Sequence, residues 1–219
     1  MVSPDSDLYR AHPEWAVSCP GRAPCESRNQ LTLDLTRTEV QDYLIKTLTD
    51  LFGSAPIRYV KWDMNRNISD PYAGGLPPAR QGEFYHRYML GLYRVLERVT
   101  GEFPQILFES CASGGNRFDL GMLCYMPQTW ASDNTGPAQH LSIQEGTSYG
   151  YPPSTIGAHV AASPHFASLR ATPLETRFNV AAFGCLGYEL DVSRLSRVEK
   201  QAIKAQIAWY KQHRELLQF

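Results

Sequence analysis

Three short apolar segments, each closed by an acidic residue, constrain the fold of this chain more than any other feature. They span residues 57–63, 105–109 and 129–133, and their acids are Asp63, Glu109 and Asp133. Such segments predict buried parallel strands. Amphipathic helical patterns alternate with them, so we predict an α/β fold with a parallel sheet. Ligand sites of parallel α/β folds lie at the carboxyl ends of the strands, where these acids are expected.

Other patterns extend the alternation of strands and helices. Thr36 and Glu39 have the spacing of a capping box and predict a helix that ends at Gly53. The spacing of Ser196 and Glu199 predicts the start of the last helix in the same way. A second helix is predicted over residues 84–99, and further strands are predicted at residues 156–161 and within residues 180–190.

Residues 1–30 differ from the rest because they show neither a strand period nor a helix period. They are rich in Pro, Ser, Gly and charged residues. This composition predicts an irregular active-site loop or a loose end. With no internal repeat in the sequence, residues 1–219 are predicted to form a single domain.

Asp63 and Asp133 are the candidate catalytic residues. Two carboxylates that flank a bond, one as nucleophile and one as acid, are what glycoside hydrolysis requires. Lys61 and Asn65 alternate with Asp63, so the three side chains are expected on the same side of the strand. Trp130, like Trp62 beside Asp63, offers an aromatic face on which a sugar ring could stack.

The acids also have a purely structural interpretation, which the sequence leaves open. They could cap neighbouring helices, or pair with Lys61, Arg66 or Arg117. Cys111 likewise has two interpretations. It could be a thiolate nucleophile beside a glycine-rich turn, or a small residue that contacts a ligand, and the second is favoured because free cysteines are seldom catalytic.

Composition excludes several classes of function. The formal net charge of −1 gives no indication of a nucleic-acid partner, and no apolar run is long enough to span a membrane. Five cysteines without a CxxC pair and six histidines without an HExxH pattern predict neither a disulfide framework nor a metal site. A reducing, cytoplasmic location is expected from the cysteine usage.

Three motifs resemble those of the α-galactosidases of glycoside hydrolase family 36. They are Tyr-Val-Lys-Trp-Asp-Met-Asn-Arg at residues 59–66, Phe-Glu-Ser-Cys-Ala-Ser-Gly-Gly at 108–115 and Trp-Ala-Ser-Asp-Asn-Thr at 130–135. The resemblance runs over almost the whole chain. It implies a partial (β/α)8 barrel that contains roughly strands 4 to 8 with their helices and lacks the N-terminal part of the barrel.

The resemblance also implies an activity, a retaining hydrolysis of terminal α-galactosides of the melibiose or raffinose type by double displacement. Asp63 would be the nucleophile and Asp133 the acid/base. The residues expected to bind the substrate are Arg28, Lys61, Asn65, Cys111 and Gly114. Neither a metal ion nor an organic cofactor is expected, and the expected partner is an α-galactoside oligosaccharide.

The chain departs from the family pattern in two respects. It has no counterpart of the paired aspartates near the first barrel strand, and Gly136-Pro137 follow the third motif where the family usually has another acid. A barrel of five strands would leave two open edges, which favours self-association or a complementing remainder of the enzyme. Three alternatives are left open: a transglycosylating relative, an inactive fragment or sugar-binding remnant, and a cysteine-dependent hydrolase that uses Cys111.

Overall fold

The computed structural model describes residues 1–219, which divide into two compact units. The first unit consists of Met1–Val60 and Met64–Leu107, and the second of Lys61–Asp63 and Phe108–Phe219. Whether these units make up one domain stays a prediction.

The first unit is built on two long helices. Helix α1 is short (Asp7–Ala11), whereas α2 (Thr38–Gly53) and α3 (Phe84–Glu102) pack against each other, as their amphipathic patterns predict. A Cβ atom on Gly91 of α3 would lie 1.9 Å from the carbonyl oxygen of Leu35. Only glycine therefore permits this close approach of the helix to the backbone of Leu35.

The predicted capping box of α2 is wrong. The N-cap residue is Arg37, which makes no side-chain cap. Thr36 instead donates from its hydroxyl to Asp34 Oδ1 at 2.6 Å and from its backbone N–H to the same atom at 3.0 Å. The carboxylate of Asp34 is buried, so it takes up the hydroxyl that the capping box would have used.

Residues 1–30 contain more regular structure than the sequence predicts. Besides α1 they include a 3-10 turn at Pro13–Trp15. Val2 and Leu31 exchange backbone hydrogen bonds at 2.9 and 2.8 Å, which joins this segment to the chain that leads into α2. The segment is held in place by pairing with a distant part of the chain. Such pairing leaves no periodic pattern in the sequence.

A five-stranded sheet in the order β1-β2-β3-β4-β5 forms the centre of the fold. Its strands are β1 (Tyr59–Asp63), β2 (Leu107–Cys111), β3 (Gln128–Trp130), β4 (Ile156–Ala161) and β5 (Cys185–Glu189). The pairs β2–β3, β3–β4 and β4–β5 are parallel. Strand order follows chain order without the reversal of a doubly wound sheet, which confirms the predicted α/β fold and partial (β/α)8 barrel.

A helix follows each of the last four strands in the second unit. These helices are α4 (Leu120–Leu123), α5 (Pro137–Ser148), α6 (Leu174–Ala181) and α7 (Arg197–Gln218). The capping box of Ser196 and Glu199 at the start of α7 is confirmed. Ala158 and Val160 of β4 pack against Phe178 of α6 in the core of this unit. None of the helices is both long and apolar enough to cross a membrane.

Strand β1 is not the buried strand that its composition predicts. Its residues alternate between exposed and half-buried, whereas every residue of β3 is buried. The reason is its position, because β1 is the first strand in the sheet order and β3 the central one. Strand β5, at the other end of the order, is also only half-buried.

Candidate active site

Acidic side chains lie near the carboxyl ends of three neighbouring strands, as predicted, but at different heights. Asp63 is the last residue of β1, Glu109 lies inside β2, and Asp133 lies three residues beyond the end of β3. The second and third strands are thus displaced from the predicted segments. Consequently Glu109 and Cys111 both belong to β2 and, two residues apart, point to the same side of the sheet.

Glu109 anchors a polar group on this face of the sheet. Its side chain is fully buried (0% exposed), and it accepts a hydrogen bond from Gln128 Nε2 at 2.6 Å. Lys61 Nζ lies 3.6 Å from Glu109 Oε1. A buried carboxylate needs such a cation and such a donor, so the pair fixes the head group of Lys61 beside β2.

Trp130, at the end of β3, lies inside the protein rather than on a sugar-binding surface. It is 3% exposed, and Lys61 Nζ lies 4.2 Å from the centre of its ring. The indole Nε1 donates a hydrogen bond to Asp133 Oδ1 at 3.1 Å. The structure therefore does not offer the ring of Trp130 as the predicted platform for a substrate.

Cys111 is a buried thiol whose surroundings keep it protonated. Burial is the main cause that raises its pKa to about 11; the backbone hydrogen bond of Gly114 and the charge of Lys61 act against this, whereas the hydrogen bond and negative charge of Asp63 raise the pKa further. Since the thiolate is the nucleophilic form, this environment disfavours the cysteine-dependent alternative. Cys111 instead lies as a hydrogen-bond donor beside the candidate nucleophile Asp63.

The Gly114-Gly115 turn packs directly against the segment that carries Asp133. Gly114 has a φ of +84°, and a Cβ atom there would lie 2.9 Å from the Cα atom of Ser132. Gly115 donates its N–H to the carbonyl of Ala131 at 3.1 Å. The glycines are needed because two backbone segments approach without space for side chains.

Arg117 links the ends of the first two strands. Its Nη2 donates to the carbonyl oxygens of Trp62 at 3.1 Å and Cys111 at 2.9 Å. One guanidinium therefore holds together the strand ends that carry Asp63 and Cys111. The sequence alone indicates Arg117 only as an ion-pair partner for the acids.

His159 of β4 packs beside Trp130 with a ring-to-ring distance of 4.4 Å. Burial, together with the charges of Lys61 and His140, lowers its pKa to about 4. The imidazole is therefore neutral at neutral pH. No group of three or more His, Cys, Asp or Glu side chains among residues 1–219 is arranged to hold a metal ion.

Arg28 and Asn65 belong to the first unit. Arg28 and Asn29 have φ values of +55° and +57° between Ser27 and Gln30, which exchange backbone hydrogen bonds. This is a two-residue hairpin turn, in which both central residues take the left-handed conformation. Arg66, which follows Asn65, donates to the carbonyl of Cys25 in the same loop.

The site in the second unit contains residues to which the sequence assigned no function. Gln128 is the clearest case, because it lies outside all three motifs. The two-residue period of strands could have indicated it, because Gln128 lies two residues before Trp130 and so points to the same side of β3. Its partner Glu109 was recognised as a strand-end acid but without a function.

The fold and the acids at the strand ends define the class of protein. A sequentially wound parallel sheet with polar side chains at the carboxyl ends of its strands is the arrangement of (β/α)8-barrel enzymes. The chain belongs to the melibiase family, whose model matches residues 1–219.

Several characterised proteins are similar to the chain over its full length. Alpha-galactosidase AgaA of Geobacillus stearothermophilus is 55% identical over 219 residues, and alpha-galactosidase 1 of Pediococcus pentosaceus is 53% identical over the same length. A crystal structure of AgaA superposes with a TM-score of 0.98 and covers 100% of this chain. The chain spans 30% of the length of each of these relatives.

Proposed function

We propose that this chain carries the catalytic pair of a retaining α-galactosidase that hydrolyses terminal α-galactosides of the melibiose and raffinose type. The proposal depends on one observation. Asp63 and Asp133 lie at the carboxyl ends of strands in one sheet, in a chain that is similar to α-galactosidases along its full length. Two positioned carboxylates are what retaining hydrolysis requires.

Crystal structures of AgaA in complex with raffinose and with stachyose support this proposal. One aspartate is replaced by asparagine in the raffinose complex, and another is replaced by alanine in the stachyose complex. These two aspartates are separated by the same number of residues as Asp63 and Asp133. The equal spacing favours Asp63 and Asp133 as the reacting pair.

In the proposed reaction Asp63 attacks the anomeric carbon of the galactosyl group. Asp133 gives its proton to the leaving oxygen as the glycosidic bond breaks, which leaves a galactosyl ester on Asp63. Asp133 then takes a proton from a water molecule, and the hydroxide oxygen displaces Asp63 to release galactose. The steps use these two side chains and water.

The sugar would be held by the other predicted site residues. Lys61, Cys111 and Gly114 belong to the same unit as the two acids, whereas Arg28 and Asn65 belong to the first unit and are proposed as sugar-binding residues from the resemblance alone. Cys111 remains a thiol in this proposal and acts as a hydrogen-bond donor. Lys61 supplies a positive charge whose position Glu109 fixes.

The test is hydrolysis of p-nitrophenyl α-galactoside by the purified chain, with Asp63→Asn as the comparison. We expect release of nitrophenol that falls at least about a thousandfold in the variant, because the nucleophile is lost. An activated 2-fluoro galactoside should add one sugar mass at Asp63. A folded chain that neither releases nitrophenol nor accepts the label would contradict the proposal.

A further inference from the structure

Trp130 connects the proposed acid/base to the interior of the sheet. It is buried at the end of β3, and its Nε1 lies 3.1 Å from Asp133 Oδ1. An indole nitrogen can donate a hydrogen bond but cannot accept one. Its partner must therefore be an oxygen of Asp133 that carries no proton.

Neighbouring groups fix the ring of Trp130 on several sides. Lys61 Nζ lies over the ring at 4.2 Å from its centre, and the ring of His159 lies 4.4 Å away. Gly157 of β4 lies so close that a Cβ atom there would be 3.1 Å from Trp130 Cε3. A ring enclosed in this way has little freedom to rotate, so its N–H points in a fixed direction.

Lys61 is itself held in place. The fully buried carboxylate of Glu109 lies 3.6 Å from its Nζ and accepts a hydrogen bond from Gln128 Nε2 on the adjacent strand. The order of contacts is therefore Gln128, Glu109, Lys61, Trp130, Asp133. Strands β1, β2 and β3 each contribute to this set of contacts, whereas Asp133 itself lies outside any strand.

We propose that Trp130 is a positioning residue that selects which oxygen of Asp133 exchanges a proton with the substrate. This inference rests on the function proposed above. The indole N–H occupies Oδ1 in both states of the carboxyl group, so the transferred proton resides on Oδ2. Oδ2 gives that proton to the leaving oxygen and later takes one from water, while the indole keeps its own proton throughout.

The geometry is tested first without reference to activity. The chain has four tryptophans, so a spectrum of the ¹⁵N-labelled protein shows four indole N–H signals, and Trp130→Phe identifies the one from Trp130. We expect the position of this signal to depend on pH in the wild type and to lose that dependence in Asp133→Asn. A signal that is insensitive to pH overturns the inference, as does one that moves equally in Asp133→Asn because of a different group such as His159.

The consequence for catalysis is tested with two substrates. Loss of a well-placed proton donor slows departure of the leaving sugar of raffinose, whose hydroxyl oxygen needs a proton. It hardly affects dinitrophenolate, which leaves without a proton. We expect Trp130→Phe to lower kcat/KM for raffinose at least about tenfold, the equivalent of about 1.4 kcal/mol, and to leave kcat/KM for dinitrophenyl α-galactoside within about twofold. Trp209→Phe, a matched change on α7, should alter neither.

The outcomes separate the two proposals. Equal losses on both substrates, or no loss on either, would show that Trp130 does not act through the proton of Asp133. A wild-type chain that hydrolyses neither substrate contradicts the proposed function. In that case the indole titration still decides whether Trp130 holds Asp133.

Discussion

The two proposed catalytic acids lie near the ends of β1 and β3, which β2 separates in the same sheet, but they are supported in different ways. Asp63 is the last residue of β1, a strand whose residues are exposed or half-buried. Asp133 lies beyond β3, a strand in which every residue is buried. One acid is thus part of a poorly covered strand, and the other follows a well-covered strand but lies outside it.

This difference shows that burial of a strand does not by itself position an acid that follows it. The direction of Asp63 follows from the alternation of side chains along β1, and Arg117 holds the end of that strand. The segment of Asp133 has no strand partner and depends on tertiary contacts. These are the close approach of Gly114 to Ser132 and the hydrogen bond from Trp130.

The largest expected effect comes from Glu109, which contacts Lys61 of β1 and Gln128 of β3. Glu109→Ala would leave a cavity in a fully buried site and remove the acceptor of Gln128. We expect the free energy of unfolding to fall by about 4 kcal/mol, measured by urea denaturation.

Glu109→Gln is the matched control for this prediction. It preserves the volume and the acceptor for Gln128 and removes only the charge that faces Lys61, which is 38% exposed. Because Lys61 is partly exposed and solvent screens its charge, this variant should cost about 1 kcal/mol or less. If the two variants were equally unstable, the ion pair rather than the buried hydrogen bond would be the important contact.

A pH-dependent effect of intermediate size is expected from His159. Its ring packs beside Trp130, which donates a hydrogen bond to Asp133. The pKa of His159 is lowered from 6.5 to about 4, chiefly by burial. The unfolded chain therefore binds a proton in this range that the folded chain does not. Stability should be fully present above pH 6.5 and fall by up to about 3 kcal/mol as the pH drops to 4.

His159→Phe isolates this contribution, since it keeps a ring beside Trp130 and cannot be protonated. Between pH 7 and pH 4 the unfolding free energy of the wild type should fall by about 3 kcal/mol more than that of the variant. His140, whose pKa is also lowered by burial, is present in both proteins, so its own burial contributes to both. A constant difference across this range would refute the prediction.

Much of the fold could be predicted from sequence because it depends on the periodic spacing of apolar residues within short segments. Helices α2 and α3 and the strand at Ile156–Ala161 follow from apolar spacing alone. The capping box of α2 could not be judged in this way. Asp34 competes for Thr36 in the folded protein, and nothing in the local spacing reveals that the carboxylate is buried.

The candidate site shows the same division. Sequence position could place Asp63 and Asp133 near strand ends, because parallel strands deliver their carboxyl ends to one edge. It could not reveal that Trp130 faces inward and bonds to Asp133, since this depends on the glycine at position 157 of the next strand. Contacts across strands decide what an aromatic side chain next to an acid does.

The smallest expected effect comes from Gly114→Ala, a substitution that acts on the segment of Asp133. In Gly114→Ala the new Cβ atom would meet the backbone of Ser132 at 2.9 Å, and the φ of +84° is unfavourable for alanine. We expect a loss of about 2 kcal/mol in the free energy of unfolding. The Trp130 indole signal should also shift, because the segment that carries its acceptor is displaced.

Gly146→Ala is the matched control, because Gly146 lies in helix α5 and a Cβ atom there meets nothing within 4 Å. Alanine should stabilise this helix by about 0.5–1 kcal/mol, so the same chemical change is expected to have opposite signs at the two positions. If Gly114→Ala were as stable as the wild type, the turn would not constrain the Asp133 segment. Asp133 would then depend on its bond to Trp130 alone, and the contrast with Asp63 would become sharper.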